Sequence, residues 1–274
     1  MGLTLGRLFL LSYMALAAGP ALAQTVDLGR TGQPVYIESV PVEDERKNDA
    51  WVGQVGMSLN LSPRDLGAGE HVSSLGLDVR VSYKDTFFIE NNKIGAVVTS
   101  RRLLRAGVIA RFNDGRRDDL IRPDLNPADE LGDAVEIGLF AGTSFYKLFL
   151  TAEAYMGTGE VHGGFQVELE GGYLFELNSK FKLVPVIGGT WGSPDYMKAY
   201  FGVPRGHERF PAYRAGGGLY EVHAELSSEH RLAKNWLLKG GIRLSKLKDN
   251  AALSPFAREH RVQARAQLGV VWLF

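Results

Sequence analysis

The chain has 274 residues, with 31 basic and 31 acidic side chains, 33 glycines and no cysteine. The charge balance excludes a nucleic-acid or polyanion partner as the organising feature, and the absence of cysteine excludes a disulfide framework. The high glycine content suits many strands joined by turns rather than a helical fold.

The first 23 residues read as a signal peptide. Arg7 supplies the positive region, Leu8 to Ala18 the apolar core, and Ala21-Leu22-Ala23 the cleavage site, with Gln24 as the first mature residue. The protein is therefore expected to be exported, and no later run of apolar residues is long enough for a transmembrane helix. Residues 24–50 are polar, contain Pro34 and Pro41, and end in Glu43-Asp44-Glu45-Arg46-Lys47. They read as a periplasmic N-terminal extension.

From Trp51 onward the pattern changes to a period of two, the mark of strands with two unlike faces. Trp51–Leu61 sets Val55, Met57, Leu59 and Leu61 against Gln54, Ser58 and Asn60. Leu75–Lys84 sets Leu75, Leu77, Val79, Val81 and Tyr83 against Asp78, Arg80 and Ser82. Two short strands follow near 86–90 and 93–99. Further strands are predicted over Leu103–Phe112, Asp133–Thr143, Tyr146–Met156, Gly163–Glu176, Lys180–Trp191, Tyr213–Ser228 and Asn235–Lys246. The chain closes on His260–Phe274, where Val262, Ala264, Ala266, Leu268, Val270, Trp272 and Phe274 share one face.

An unbroken apolar face ending on a terminal aromatic is how a transmembrane β-barrel closes, and it marks Trp272 and Phe274 as a barrel-assembly signal. The last strand of a soluble β-sandwich is the competing reading of this stretch, but a sandwich has no reason to sort loop lengths by parity. The count is about twelve strands, or ten if the short pair is misread, each near the ten residues that cross a bilayer when tilted. With the N- and C-termini in the periplasm, the connections there are short, while Asn113–Gly132, Gly192–Ala212 and Leu247–Glu259 form long outer loops. The predicted fold is thus all-β, an antiparallel outer-membrane barrel over 51–274.

All four tryptophans, Trp51, Trp191, Trp236 and Trp272, fall near strand ends, as an interfacial girdle in contact with outer-membrane lipid requires. The polar face carries Arg80, Lys84, Arg105, Arg111, Glu136, Lys147, Glu153, Glu168, Glu170, Glu225, Lys239, Arg243 and Arg265. Both signs occur, so the lumen is expected to be crossed by salt bridges and to be more filled than open. Pro185 interrupts a predicted strand, and a bulge is expected there.

No catalytic constellation stands out. The six histidines lack metal-ligand spacing, and no metal or cofactor is expected. Ser179–Lys182 and Ser245–Lys248 have S-x-x-K spacing, but on strands the two side chains point to opposite faces. Gly216-Gly217-Gly218 is not followed by a helix, so it is no nucleotide fingerprint. The loop Asp114-Gly115-Arg116-Arg117-Asp118-Asp119 is either a recognition loop or a self-paired, solvated one.

Several segments, in order, resemble the MltA-interacting protein (MipA/OmpV) family. They are Tyr83-Lys84-Asp85 with Phe87-Phe88, Gly115-Arg116-Arg117-Asp118, Leu131-Gly132-Asp133, His162-Gly163-Gly164, Tyr200-Phe201-Gly202-Val203 and Ser254-Pro255-Phe256, followed by the aromatic C-terminus. The final strand departs from the family in carrying Trp272 where a tyrosine is expected. The resemblance implies an outer-membrane barrel that is not an enzyme and holds a lytic transglycosylase and a bifunctional penicillin-binding protein together in murein synthesis. It carries over no catalytic or binding residues. A porin-like channel or transport barrel, suggested by the charged inner face, and an adhesin using loops 113–132 and 192–212 are the alternatives.

Overall fold

The computed structural model describes residues 51–274 apart from 65–66, 68, 70, 102–103, 114–131, 159–161, 208–209, 256 and 258. The predicted signal peptide, the 24–50 extension and the Asp114–Asp119 loop lie outside the described residues. In chain order the strands are β1 (Trp51–Pro63), β2 (His71–Tyr83), β3 (Phe87–Glu90), β4 (Lys93–Arg101), β5 (Leu104–Asn113), β6 (Ala134–Phe145) and β7 (Leu148–Gly157). They continue with β8 (Phe165–Tyr173), β9 (Phe175–Glu176), β10 (Phe181–Gly192), β11 (Gly218–Ala233), β12 (Trp236–Leu247) and β13 (Val262–Leu273). Two helices, α1 (Pro194–Phe201) and α2 (Asp249–Ala252), lie in the connections before β11 and β13.

Every strand pairs antiparallel with its neighbours, and β13 pairs with β1, so the sheet closes on itself. Closure leaves no edge strand to satisfy, the condition a sheet must meet in lipid. β8 and β9 share one register against β10 and form a single strand interrupted at Leu174, which makes the barrel twelve-stranded.

The interruption has a simple cause. Pro185 has no N–H to donate, and its carbonyl faces Gly172 of β8, so the missing donor falls on that side of the ladder. The expected bulge at Pro185 is not there; the pairing with β11 runs through it without a break, and the register shifts at Thr190/Trp191 instead. The strand predicted over Tyr213–Ser228 also needs correcting. It begins at Gly218 and runs to Ala233, because Tyr213 pairs with Val203 inside the preceding loop.

Trp51 and Phe274 lie at the same end of the barrel, termed the near end; Gly53 N donates to Phe274 O at 3.1 Å and Phe274 N to Gly53 O at 3.0 Å. The outer wall carries Met57, Leu59, Leu75, Leu139, Ile187 and Leu268, all exposed. A wall of this kind is insoluble in water and stable in hydrocarbon. Among the described residues no helix is long and apolar enough to cross a membrane; the crossing is made by strands.

Candidate functional site: a lumen filled in three layers

The inner face carries the side chains that alternate with the lipid-facing set, and among the described residues many of these are buried. Part of the filling is apolar, on the side of β3 to β10, whereas Gln54, Arg80 and Lys239 hold the near part of β1, β2 and β12. Phe149, Leu174, Val184 and Val186 form one buried cluster, and Phe88, Ile109, Phe140 and Tyr155 another. Three phenylalanines sit opposite glycines on the adjacent strand: Phe88 opposite Gly95, Phe140 opposite Gly107 and Phe149 opposite Gly172. A Cβ on any of these glycines would collide with the facing ring, so each ring lies across bare backbone. The charged inner face expected from the sequence does not include this layer. Its signal in the sequence is the phenylalanine at an inward register position, as with Phe140 between Leu139 and Ala141.

The middle layer is ionic, as the mixture of charges predicts. Arg80 pairs with Glu90, and Arg111 with Glu136, whose Oε2 also accepts from Arg111 Nε at 2.8 Å. Lys93 reaches Glu153 at 2.8 Å, and Lys239 reaches Asp78 at 3.0 Å, from non-adjacent strands. Tyr155 Oη donates to Glu153 at 2.7 Å while its ring lies 4.0 Å from the Arg111 guanidinium carbon. Arg243 is the hub of the opposite wall. Its guanidinium lies 3.2 Å from Glu168, 3.4 Å from Glu170, 3.5 Å from Glu221 and 3.6 Å from Glu225. It also donates to His223 Nδ1 at 2.8 Å, which leaves the proton on Nε2, facing Glu170 at 2.9 Å. Burial of so many carboxylates requires such pairing, since an unpaired buried charge costs several kcal/mol.

Glu168, Glu170 and His223 are close enough together to ligate one metal ion. Arg243 already bonds all three, so its guanidinium supplies the positive charge that a metal would bring.

The far mouth is closed by the β10–β11 connection folding inward. Ser193 caps α1, accepting from Tyr196 N at 3.4 Å and also from Phe165 N at 3.0 Å, with Pro194 opening the helix. The helix buries Tyr196, Met197, Tyr200 and Phe201 against Tyr220, Leu247, Ala251 and Ala252. Polar bonds tie this cap to the layer below. Asn113 Nδ2 donates to Tyr200 Oη at 2.8 Å and to Glu136 at 3.2 Å, His162 meets Glu136 at 3.1 Å, and Tyr220 Oη donates to Gln166 at 2.8 Å. Ser254 Oγ donates to Phe201 O at 2.8 Å, and Tyr213 Oη donates to Asn250 O at 2.8 Å. Burial pushes the Tyr213 phenol up from its ordinary value. Ser193-Pro194-Asp195 is a helix-start signature that a purely strand-based reading passes over.

The four tryptophans are all exposed on the outer wall. Trp51, Trp236 and Trp272 lie at the near end, where Trp236 pairs with Trp272 across the sheet and the Trp272 and Phe274 rings stack at 5.4 Å. Trp191 lies at the far end, 5.4 Å from the Phe165 ring. Ala23 and Gln24 lie outside the described residues.

Closed strand pairing, an apolar wall and a polar, packed interior define an outer-membrane β-barrel protein. The family model described as MltA-interacting protein MipA matches residues 55–274. The chain belongs to that family. No curated protein sequence matches it. Among solved structures, it is similar to an outer membrane channel from Pseudomonas putida F1, at 14% identity and a TM-score of 0.41, over 82% of this chain and 95% of that one. It is similar to the KdgM porin at 10% identity and a TM-score of 0.38, over 82% and 99%. The OmpT protein of Vibrio cholerae matches at 8% identity and a TM-score of 0.38, over 83% and 99%.

Proposed function

We propose that this protein is a closed scaffold of the outer membrane, without catalytic activity, that holds cell-wall enzymes on its periplasmic side. The observation that carries this reading is the occupation of the lumen by apolar clusters, buried ion pairs and a folded cap, which leaves a wall for lipid and rims for partners. The family name points to a lytic transglycosylase as one partner, and a bifunctional penicillin-binding protein is the second.

In this reading Ala23–Gln24 is the cleavage site of an export signal, and the near end, with Trp51 and Phe274, faces the periplasm. Trp51, Trp236 and Trp272 then sit at the inner interface and Trp191 at the outer one, with each ring in the acyl region and each N–H among headgroups. Trp272 and Phe274 act as the assembly signal of the last strand. The 24–50 segment contributes to partner capture.

Affinity capture from a mild detergent extract tests the proposal. Recovery of a lytic transglycosylase and a murein synthase with the full-length barrel is the expected result, and it weakens when residues 24–50 are deleted. Recovery of the barrel without either enzyme would refute it.

A further inference from the structure

We infer that one arc of the near rim, running from the β6–β7 turn through the β9–β10 turn to the β11–β12 turn, is a docking edge for a soluble protein with an acidic surface. The inference rests on the reading that the near end faces the periplasm.

Exposed apolar side chains stand on this arc, Tyr146 and Leu177 among them. Tyr146, at the tip of the β6–β7 turn, is 85% exposed and its ring touches Phe145 at 4.7 Å. Its φ of 55° is left-handed, a conformation suited to Asn or Gly in a tight turn and costly for a bulky residue. Leu177, 59% exposed, lies two residues beyond the lipid-facing Phe175 and so projects past the last aromatic of its strand. Beside these stand Lys147, Lys180, Lys182, Arg231 and Lys234, against Glu176 and Glu229. Lys147 and Glu176 neutralise each other at 2.7 Å, so the arc keeps a positive balance.

The three turns are braced to one another before any partner arrives. Leu174 N donates to Lys147 O at 2.8 Å, and Arg231 N donates to Lys180 O at 2.7 Å. Asn178 Oδ1 accepts from Lys180 N and Phe181 N, both at 2.9 Å, and Arg231 Nη1 donates to Lys234 O at 3.1 Å. A braced edge loses little conformational freedom on binding, and an exposed aromatic on an edge that also carries cations has the composition of an interface anchor. The rest of the near rim lacks such a tip: the β2–β3 turn, Lys84-Asp85-Thr86, carries both signs, and the β4–β5 end carries Arg101 and Arg105 but no aromatic. A rim serving only lipid headgroups has no need of an aromatic held at a turn tip in a left-handed conformation; a protein partner does, and the positive balance beside it selects an acidic one.

The test places a photo-crosslinking amino acid at Tyr146 of the full-length protein in living cells, with Thr86 as the control on the opposite arc. The expected result is an adduct with a soluble protein from Tyr146 only. In the Lys180→Glu/Lys234→Glu double variant, with the barrel shown to be folded by its heat-modifiable gel mobility, that adduct falls about tenfold. Lipid adducts alone, no adduct, equal adducts from Thr86, or an adduct unaffected by charge reversal would each overturn the inference. Binding of a purified lytic transglycosylase to the wild-type barrel separates this from the broader proposal. Equal binding to wild type and double variant leaves the scaffold standing and removes the arc. A charge-sensitive protein adduct with no transglycosylase binding keeps the arc and removes that partner.

Discussion

Phe149 on β7 lies across Gly172 on β8, its ring resting where a Cβ would otherwise stand. Phe88 over Gly95 and Phe140 over Gly107 repeat the relationship on other strands. The three pairs make this side of the lumen a packed core, so a substitution there acts like one in a soluble interior.

Gly172→Val should therefore displace the Phe149 ring and destabilise the barrel by about 1–3 kcal/mol, the usual cost of overpacking. The midpoint of heat-dependent gel mobility measures it. Combining the change with Phe149→Ala should cost less than the two single effects added together, because the clash is then relieved. Additive losses would show that ring and glycine are not coupled.

Arg243→Met removes a guanidinium that Glu168, Glu170, Glu221 and Glu225 share. Losing that charge from among buried carboxylates should cost about 3–5 kcal/mol. A variant whose heat-dependent gel mobility has the same midpoint as wild type would contradict the hub assignment.

Ser193→Ala deletes the acceptor that caps α1 and also holds Phe165 N, and it should loosen the far-end cap by about 1 kcal/mol. Limited proteolysis should then cut the β10–β11 connection faster while the strands stay protected.

The cap also carries a pH dependence. Burial holds the Tyr213 phenol above its ordinary value, so the folded cap prefers the protonated form. Its contribution is fully present below the phenol range and is lost as pH rises through it. Cap proteolysis should accelerate at high pH, and Tyr213→Phe should reduce that acceleration.

The barrel itself was legible in the sequence because lipid imposes an unbroken alternation, seen plainly in Val262–Phe274 and Trp51–Leu61. The ionic layer was legible for the same reason, since Arg80, Glu136 and Arg243 fall on the inward register. The apolar near layer was not. Phe140 and Phe149 read as members of mixed stretches, and only the pairing register reveals the glycines beneath them. Pro185 suggested a bulge, but a strand tolerates the loss of one donor when only one side of the ladder is affected. The cap was hidden because loop folding depends on contacts far apart in sequence, such as Asn113 with Tyr200 and Phe201 with Ser254.

Single-channel recording of the purified mature protein in a planar bilayer is the sharpest test of a closed, filled scaffold. The three layers predict a barrel that inserts and gives no stable conductance steps, in wild type and in Ser193→Ala alike, because the ion-pair and phenylalanine layers remain beneath the cap. Stable, reproducible steps from the wild-type protein would mean that water and ions pass the lumen, and the closed scaffold would give way to a channel.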